Sequence, residues 1–381
     1  MISKDQSKEA SDSTAVELPL AGVRVIEMAG LGPVPYAGQL LSDMGAEVIS
    51  VARPQQASHQ VEDRGKRSMV MDLKNPQALD ALLQLIDTGD ILIEGYRPGV
   101  AERLGFGPEL CLERVPHLVY ARMTGWGQKG PWSQMAGHDI NYIGLTGVLH
   151  AIGTQEDVPP PPLNLLGDYA GGSMFLVAGV LAALYAAQKS GRGDVIDVAM
   201  IDGAVSLFGL MLSMHAEGRW STDRSSNMLD GAMPYYRCYR CQDNRFVAVG
   251  ALESAFFDQM LVKLNIDSAK YGDREDTTQY ARQHALLESC FATRERDDWA
   301  RVFDGSDACV TPVLDFLEAS NHPHVKYRQS LVKHAGITQS NLAPRFSNFK
   351  SVSATTVSRG ADTEAVLQEL QLPADLIDSL S

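Results

Sequence analysis

Val23-Arg24-Val25-Ile26-Glu27-Met28 is followed by Tyr36 to Met44 and then by Glu47-Val48-Ile49-Ser50-Val51. The outer stretches are short, apolar and β-branched and read as strands, while the middle one carries a helical pattern closed by Gly45. Strands joined through a helix run parallel, since the crossover returns the chain to the end where the first strand began. The unit recurs: Ser68 to Asp72 as strand, Pro76 to Asp87 as helix with Ala78, Leu79, Leu82, Leu83 and Ile86 on one face, Ile91 to Glu94 as strand, Val100 to Leu104 as a short helix, and Leu118 to Met123 as strand. This alternation predicts an α/β fold: a doubly wound, mainly parallel, Rossmann-like sheet.

Further along, Met174 to Ala187 is an apolar stretch rich in Ala and Gly, followed by a strand at Val195 to Val198 and a long helix at Ala204 to His215. The apolar stretch is shorter than the roughly 20 residues that span a bilayer, so it reads as a buried helix and no membrane partner is expected. Polar Ser221 to Asn227 interrupts the pattern. A strand at Phe246 to Gly250, with helices at Glu253 to Leu264 and Gln279 to Ala292, then predicts a second, smaller α+β domain over 228–321. The large domain takes 18–227 and 322–381, with a final helix at Glu364 to Leu370 packing on it. Residues 1–17 are polar and Ser-rich and read as a flexible tail, with no signal-peptide core.

The net charge of -14 over 381 residues argues against a nucleic-acid partner or an anionic membrane surface. Cys111, Cys238, Cys241, Cys290 and Cys309, with no export signal, fit free thiols in a reducing compartment, and cytoplasm is the expectation. Cys238-Tyr239-Arg240-Cys241 has the spacing of half a zinc site, but no second ligand pair accompanies it, so no metal is expected.

Gly30-Leu31-Gly32 after the first strand resembles the opening of a dinucleotide fingerprint, yet Pro35 stands where the third Gly belongs. Arg53 follows the second strand where an NAD site wants an acid, which suits a ribose phosphate; a tight turn with a surface Arg fits equally well. Arg64, Lys66 and Arg67, and Tyr96-Arg97 with Arg103, add cations read as lying at strand carboxyl ends, where open sheets bind ligands. No P-loop appears. Gly137-His138-Asp139-Ile140-Asn141-Tyr142 and Asn164-Leu165-Leu166-Gly167-Asp168 set an imidazole and a carboxylate in turns ahead of helical sequence. Such groups can remove and return a proton at one carbon, though a capping His and a capping Asp fit the same pattern. Glu253, by itself, reads as a helix-start acid.

Taken together, Leu20 to Glu27, Gly65 to Ser68, Glu94 to Gly99, Gly137 to Tyr142, Asn164 to Asp168, Asn227 to Gly231 and Asp304 to Val313 resemble the α-methylacyl-CoA racemases, within the family III CoA transferases. The resemblance runs from about Leu18 to Val325. It implies that His138 and Asp168 are the acid/base pair flanking Cα of a 2-methylacyl-CoA thioester and that Glu253 orients His138. It implies CoA contacts at Arg53, Met71, Asp72, Leu73, Lys74, Gly95, Tyr96, Arg97, Arg103, Gly137, Asp139, Ile140, Asn141 and Tyr142. It also implies no cofactor beyond the CoA of the substrate, and an interlocked homodimer in which Glu253 reaches the site from the partner. A backbone N–H near Asp139 is expected to hold the developing enolate oxygen. Tyr169-Ala170 departs from the family's Phe-Gly or Phe-Ala, and 321–342 diverges, leaving the acyl pocket open. Two other readings share the scaffold: CoA transfer through an Asp168 acyl anhydride, and a non-catalytic acyl-CoA-binding protein.

Overall fold

The strand–helix alternation becomes a six-stranded sheet in a computed structural model of the chain, which describes residues 18–56, 60–155, 157–349 and 355–380. The tail expected at 1–17 lies outside these residues. The strands are β1 Arg24–Met28, β2 Glu47–Ala52, β3 Arg67–Val70, β4 Ile91–Glu94, β5 Val119–Thr124 and β6 Asp194–Ala199, in the order β3-β2-β1-β4-β5-β6. Val25 of β1 pairs in parallel with Val48 on one side and Ile91 on the other. The chain therefore leaves β1 toward one edge and returns at β4 toward the other. That reversal creates the crevice beyond the strand ends where such sheets take ligands.

Ile26, Ile49 and Leu92 are fully buried because helices cover the sheet. The helix Pro76–Ile86 starts at Asn75, whose side chain accepts from Gln77 N at 3.0 Å, and it buries Ala78, Ala81, Leu82, Leu85 and Ile86. The expected final helix forms at Thr363–Glu369 and buries Val366 and Leu367 in the sheet's core; a further helix, Ala374–Leu380, adds Ile377.

The described residues group into two units, one drawn from within 18–124, 173–198 and 332–380 and the other from within 125–172 and 199–331. The second contains an antiparallel sheet of β7 Tyr236–Arg240, β8 Phe246–Gly250 and β9 Val310–Pro312. Its apolar core, which includes Tyr239, Val247, Met260, Phe291 and Trp299, lies within 228–321. A hairpin of β10 Leu331–His334 and β11 Ile337–Ser340 follows.

Three expectations change. The helix expected over 204–215 is two, Met200–Leu207 and Gly209–Ala216, parted at Phe208. The apolar stretch at 174–187 belongs to a longer helical run, Leu165–Ser190, because a π-helical segment, Leu165–Ser173, precedes it. That run is long and apolar enough to cross a bilayer; its segment Met174–Ser190 buries Leu176, Val177, Val180, Leu184 and Ala187 on one face, the pattern of a core helix. Finally, Arg64, Lys66 and Arg67 precede or begin β3 instead of following a strand, and all three are paired. Arg64 bonds Asp43 and the Ser340 carbonyl, Lys66 bonds Glu27 and the Pro35 carbonyl, and Arg67 bridges Glu47 and Glu369.

Candidate active site

His138 is the residue before the helix Asp139–Leu145, in extended conformation at φ -131° and ψ 173°. Its N–H donates to Asn141 Oδ1 at 3.0 Å, and its carbonyl accepts from Asn141 N at 2.8 Å, so Asn141 closes the turn on both sides. Tyr142 sits beneath, buried edge-on against Trp126 with ring centroids 4.8 Å apart, and its hydroxyl donates to the Gly137 carbonyl. The main chain around His138 is thus fixed while the imidazole stays exposed. Gly137 is half-buried, and Ile140 and Asn141 are exposed.

Asp168 lies in the π-helical segment Leu165–Ser173. Such segments are rare and gather at functional sites, because the wider turn re-aims side chains. Close packing accompanies it here: a Cβ on Gly203 would sit 1.8 Å from the Gly171 carbonyl oxygen, so only glycine lets the helix Met200–Leu207 approach this backbone. Burial pushes the half-buried Asp168 carboxyl above the usual carboxylate range and the charge of Asp139 adds to this, while Asn164 Nδ2, 3.4 Å from Oδ2, and the charge of His138 oppose it. His138 and Asp168 are therefore within each other's field. A carboxyl and an imidazole are groups that can take a proton from carbon and return one.

Asp139, expected as a CoA contact, is only 4% exposed, and its Oδ2 accepts from Gly167 N at 2.6 Å and Asp168 N at 2.8 Å. Glu253 is exposed and stands just before the helix Ser254–Leu264, its carbonyl accepting from Phe256 N and Phe257 N. Among the described residues, no hydrogen bond joins it to His138 within the chain. Asn164, which the sequence shows only as part of a motif, donates to the Asp168 carboxylate directly. Its position one helical turn before Asp168 was the available signal.

In the sheet unit, Arg53 follows β2, Met71 to Lys74 follow β3, and Gly95 to Arg97 follow β4, each just past a strand's carboxyl end. Met71 is buried, Leu73 and Tyr96 are half-buried, and Arg53, Asp72, Lys74, Gly95, Arg97 and Arg103 are exposed. Burial pushes the Tyr96 hydroxyl up and the Arg53 charge pulls it down, which places guanidinium and phenol near one another. Among the described residues Arg53, Lys74, Arg97 and Arg103 form no ion pair.

The unit that carries His138 also holds an apolar cavity of about 350 Å³, walled by Val148, Leu166, Leu207, Phe208, Met211 and Trp220 among others. Leu166 belongs to the same π-helical segment as Asp168. No group of three His, Cys, Asp or Glu side chains among the described residues could hold a metal ion, and the five cysteines are free thiols.

The profile of CoA-transferase family III matches residues 20–363. The chain is 39% identical over 369 residues to an alpha-methylacyl-CoA racemase of Mus musculus, covering 94% of this chain and 97% of that protein. It is 38% identical over 326 residues to a probable fatty acyl-CoA transferase of Mycobacterium tuberculosis, covering 77% and 82%. A crystal structure of a CaiB/BaiF family protein from Brucella suis superposes with a TM-score of 0.81 at 22% identity, covering 93% and 100%, and shares the fold.

Proposed function

The chain belongs to CoA-transferase family III, and from that premise we propose that it interconverts the two configurations of a 2-methylacyl-CoA thioester at Cα. The observation that carries the proposal is the tie between the turns of His138 and Asp168: the carboxylate of Asp139, next to His138, accepts from Asp168 N at 2.8 Å on the π-turn. A thioester Cα–H is acidic enough to be removed by such groups, because no negative charge opposes the enolate. One group takes the proton and the electron pair moves onto the thioester oxygen. The other group, already protonated, then delivers its proton to the opposite face. The enzyme is ready in either direction when the pair holds one proton. The N–H of Asp139, in a first turn whose amides have no intrahelical partner, donates to the enolate oxygen. No resident cofactor takes part; CoA belongs to the substrate.

Arg53, Lys74, Arg97 and Arg103 hold the phosphates of CoA, with Met71, Asp72, Leu73, Gly95 and Tyr96 around its nucleotide, and Gly137, Ile140, Asn141 and Tyr142 shape the thioester end. The cavity beside Leu166 takes the acyl tail. The enzyme works as a homodimer: exposed Leu207, Leu210 and Leu212 are covered by a second copy, and Glu253 of that copy orients His138. The free thiols suit a cytoplasmic setting. Incubation of one enantiomer of a 2-methylacyl-CoA in D₂O is expected to incorporate deuterium at Cα as optical activity decays. A substrate that keeps both its proton and its rotation excludes the reading.

The transferase name of the M. tuberculosis relative favours a second reading, CoA transfer through an acyl anhydride on Asp168. Hydroxylamine trapping of an acyl-enzyme, with full transfer activity in His138→Ala, would establish it in place of racemisation.

A further inference from the structure

Asp139 separates His138 from the rest of its helix, and its side chain turns inward instead of toward solvent. Oδ2 accepts two main-chain N–H groups, from Gly167 at 2.6 Å and from Asp168 at 2.8 Å. Its other oxygen, Oδ1, is buried and has no hydrogen-bond partner among the described residues. Helix caps ordinarily serve their own first turn. This carboxylate instead serves a segment 28 and 29 residues away in sequence. A π-turn leaves main-chain groups out of the regular ladder, and a buried N–H without an acceptor is costly. Asp139 supplies the acceptor for two such groups at the residue that carries the reactive carboxyl. Gly167 leaves room for it: a Cβ there would lie 2.9 Å from Asp139 Oδ2 and 3.3 Å from its Cα.

We propose that Asp139 is the positioning residue of the proton relay, its buried carboxylate tying the turn of His138 to the π-turn of Asp168 so that both groups sit at fixed separation about one carbon. The inference rests on the racemase reading for its readout but not for its geometry. Asp139 takes no proton from substrate and acts through Asp168. Its charge has a second effect, because together with burial it holds the Asp168 carboxyl above the usual range; Asn164 and His138 are the other groups acting on that carboxyl.

The test uses the full-length enzyme with two variants. Asp139→Asn keeps an oxygen acceptor and removes the charge: kcat is expected to fall about tenfold with KM nearly unchanged, and the acid limb of the kcat/KM profile to move to lower pH. Gly167→Ala keeps the charge and pushes on the bonded carboxylate: kcat is expected to fall about 10²-fold, as displacements near 1 Å do, with the acid limb in place. A wild-type kcat and unshifted acid limb in a folded Asp139→Asn overturn the proposal, as does a wild-type kcat in Gly167→Ala. If Asp139→Asn does not fold, Gly167→Ala decides alone. If neither variant racemises because the racemase reading itself fails, amide hydrogen exchange at Gly167 and Asp168 still decides: acceleration in Asp139→Asn sustains the tie, and unchanged exchange ends it.

Discussion

Lys66, just before β3, and Arg53, just after β2, live in opposite surroundings. Lys66 is 3% exposed, with its ammonium 2.7 Å from Glu27 Oε2 and 2.8 Å from the Pro35 carbonyl. Arg53 is exposed with no ion pair among the described residues, and its charge reaches Tyr96. Arg64 and Arg67 share the condition of Lys66, and Lys74, Arg97 and Arg103 share that of Arg53. A cation already neutralised by the fold holds the fold, and a cation left unpaired at a strand end is free to neutralise a ligand.

The comparison breaks most sharply at Lys66. Lys66→Ala leaves the Glu27 carboxylate buried without its partner and is expected to cost about 3–5 kcal/mol, read as a lower denaturation midpoint. A midpoint within error of wild type would show that burial, not pairing, distinguishes the two sets. Next comes Arg53→Ala with Arg97→Ala, expected to raise KM for acyl-CoA by roughly tenfold per lost phosphate contact with the stability unchanged to about 0.5 kcal/mol. Isothermal titration with CoA and a thermal melt on the same sample separate the two quantities. Raising salt from about 0.1 M to 1 M shortens the screening length from about 10 Å to 3 Å, so KM should climb while the thermal midpoint barely moves. Last is the partner of Asp168 itself. Asn164→Ala removes a hydrogen bond that lowers the carboxyl's pKa, so the acid limb of kcat/KM should move a little up. A downward move would mean that Asn164 favours the protonated form.

The sheet was legible because its signal is local. Each strand is a short apolar run, and each crossover helix carries its own face and caps, as Asn75 and Pro76 do for Pro76–Ile86. Cation partners were not legible, since Arg67 finds Glu369 and Arg64 finds Ser340 only after the chain has folded back on itself. For the same reason Arg64, Lys66 and Arg67 were misread as ligand-binding. The site was half visible. Glycines beside His138 and Asp168 marked turns, but nothing in Leu165–Ser173 announces π geometry, and the inward turn of Asp139 depends on the distant amides of Gly167 and Asp168. The break at Phe208 and the hairpin of β10 and β11 also escaped, because apolar residues continue across the first and the second alternates weakly.

The most direct measurement is α-proton exchange in D₂O by His138→Ala and Asp168→Asn, each given the separate enantiomers of one 2-methylacyl-CoA. Both variants should fail to racemise, and each should still exchange the α-proton of only one enantiomer, the two variants choosing opposite hands. Exchange of the same enantiomer by both, or racemisation surviving either substitution, would contradict a relay in which His138 and Asp168 serve opposite faces of one carbon.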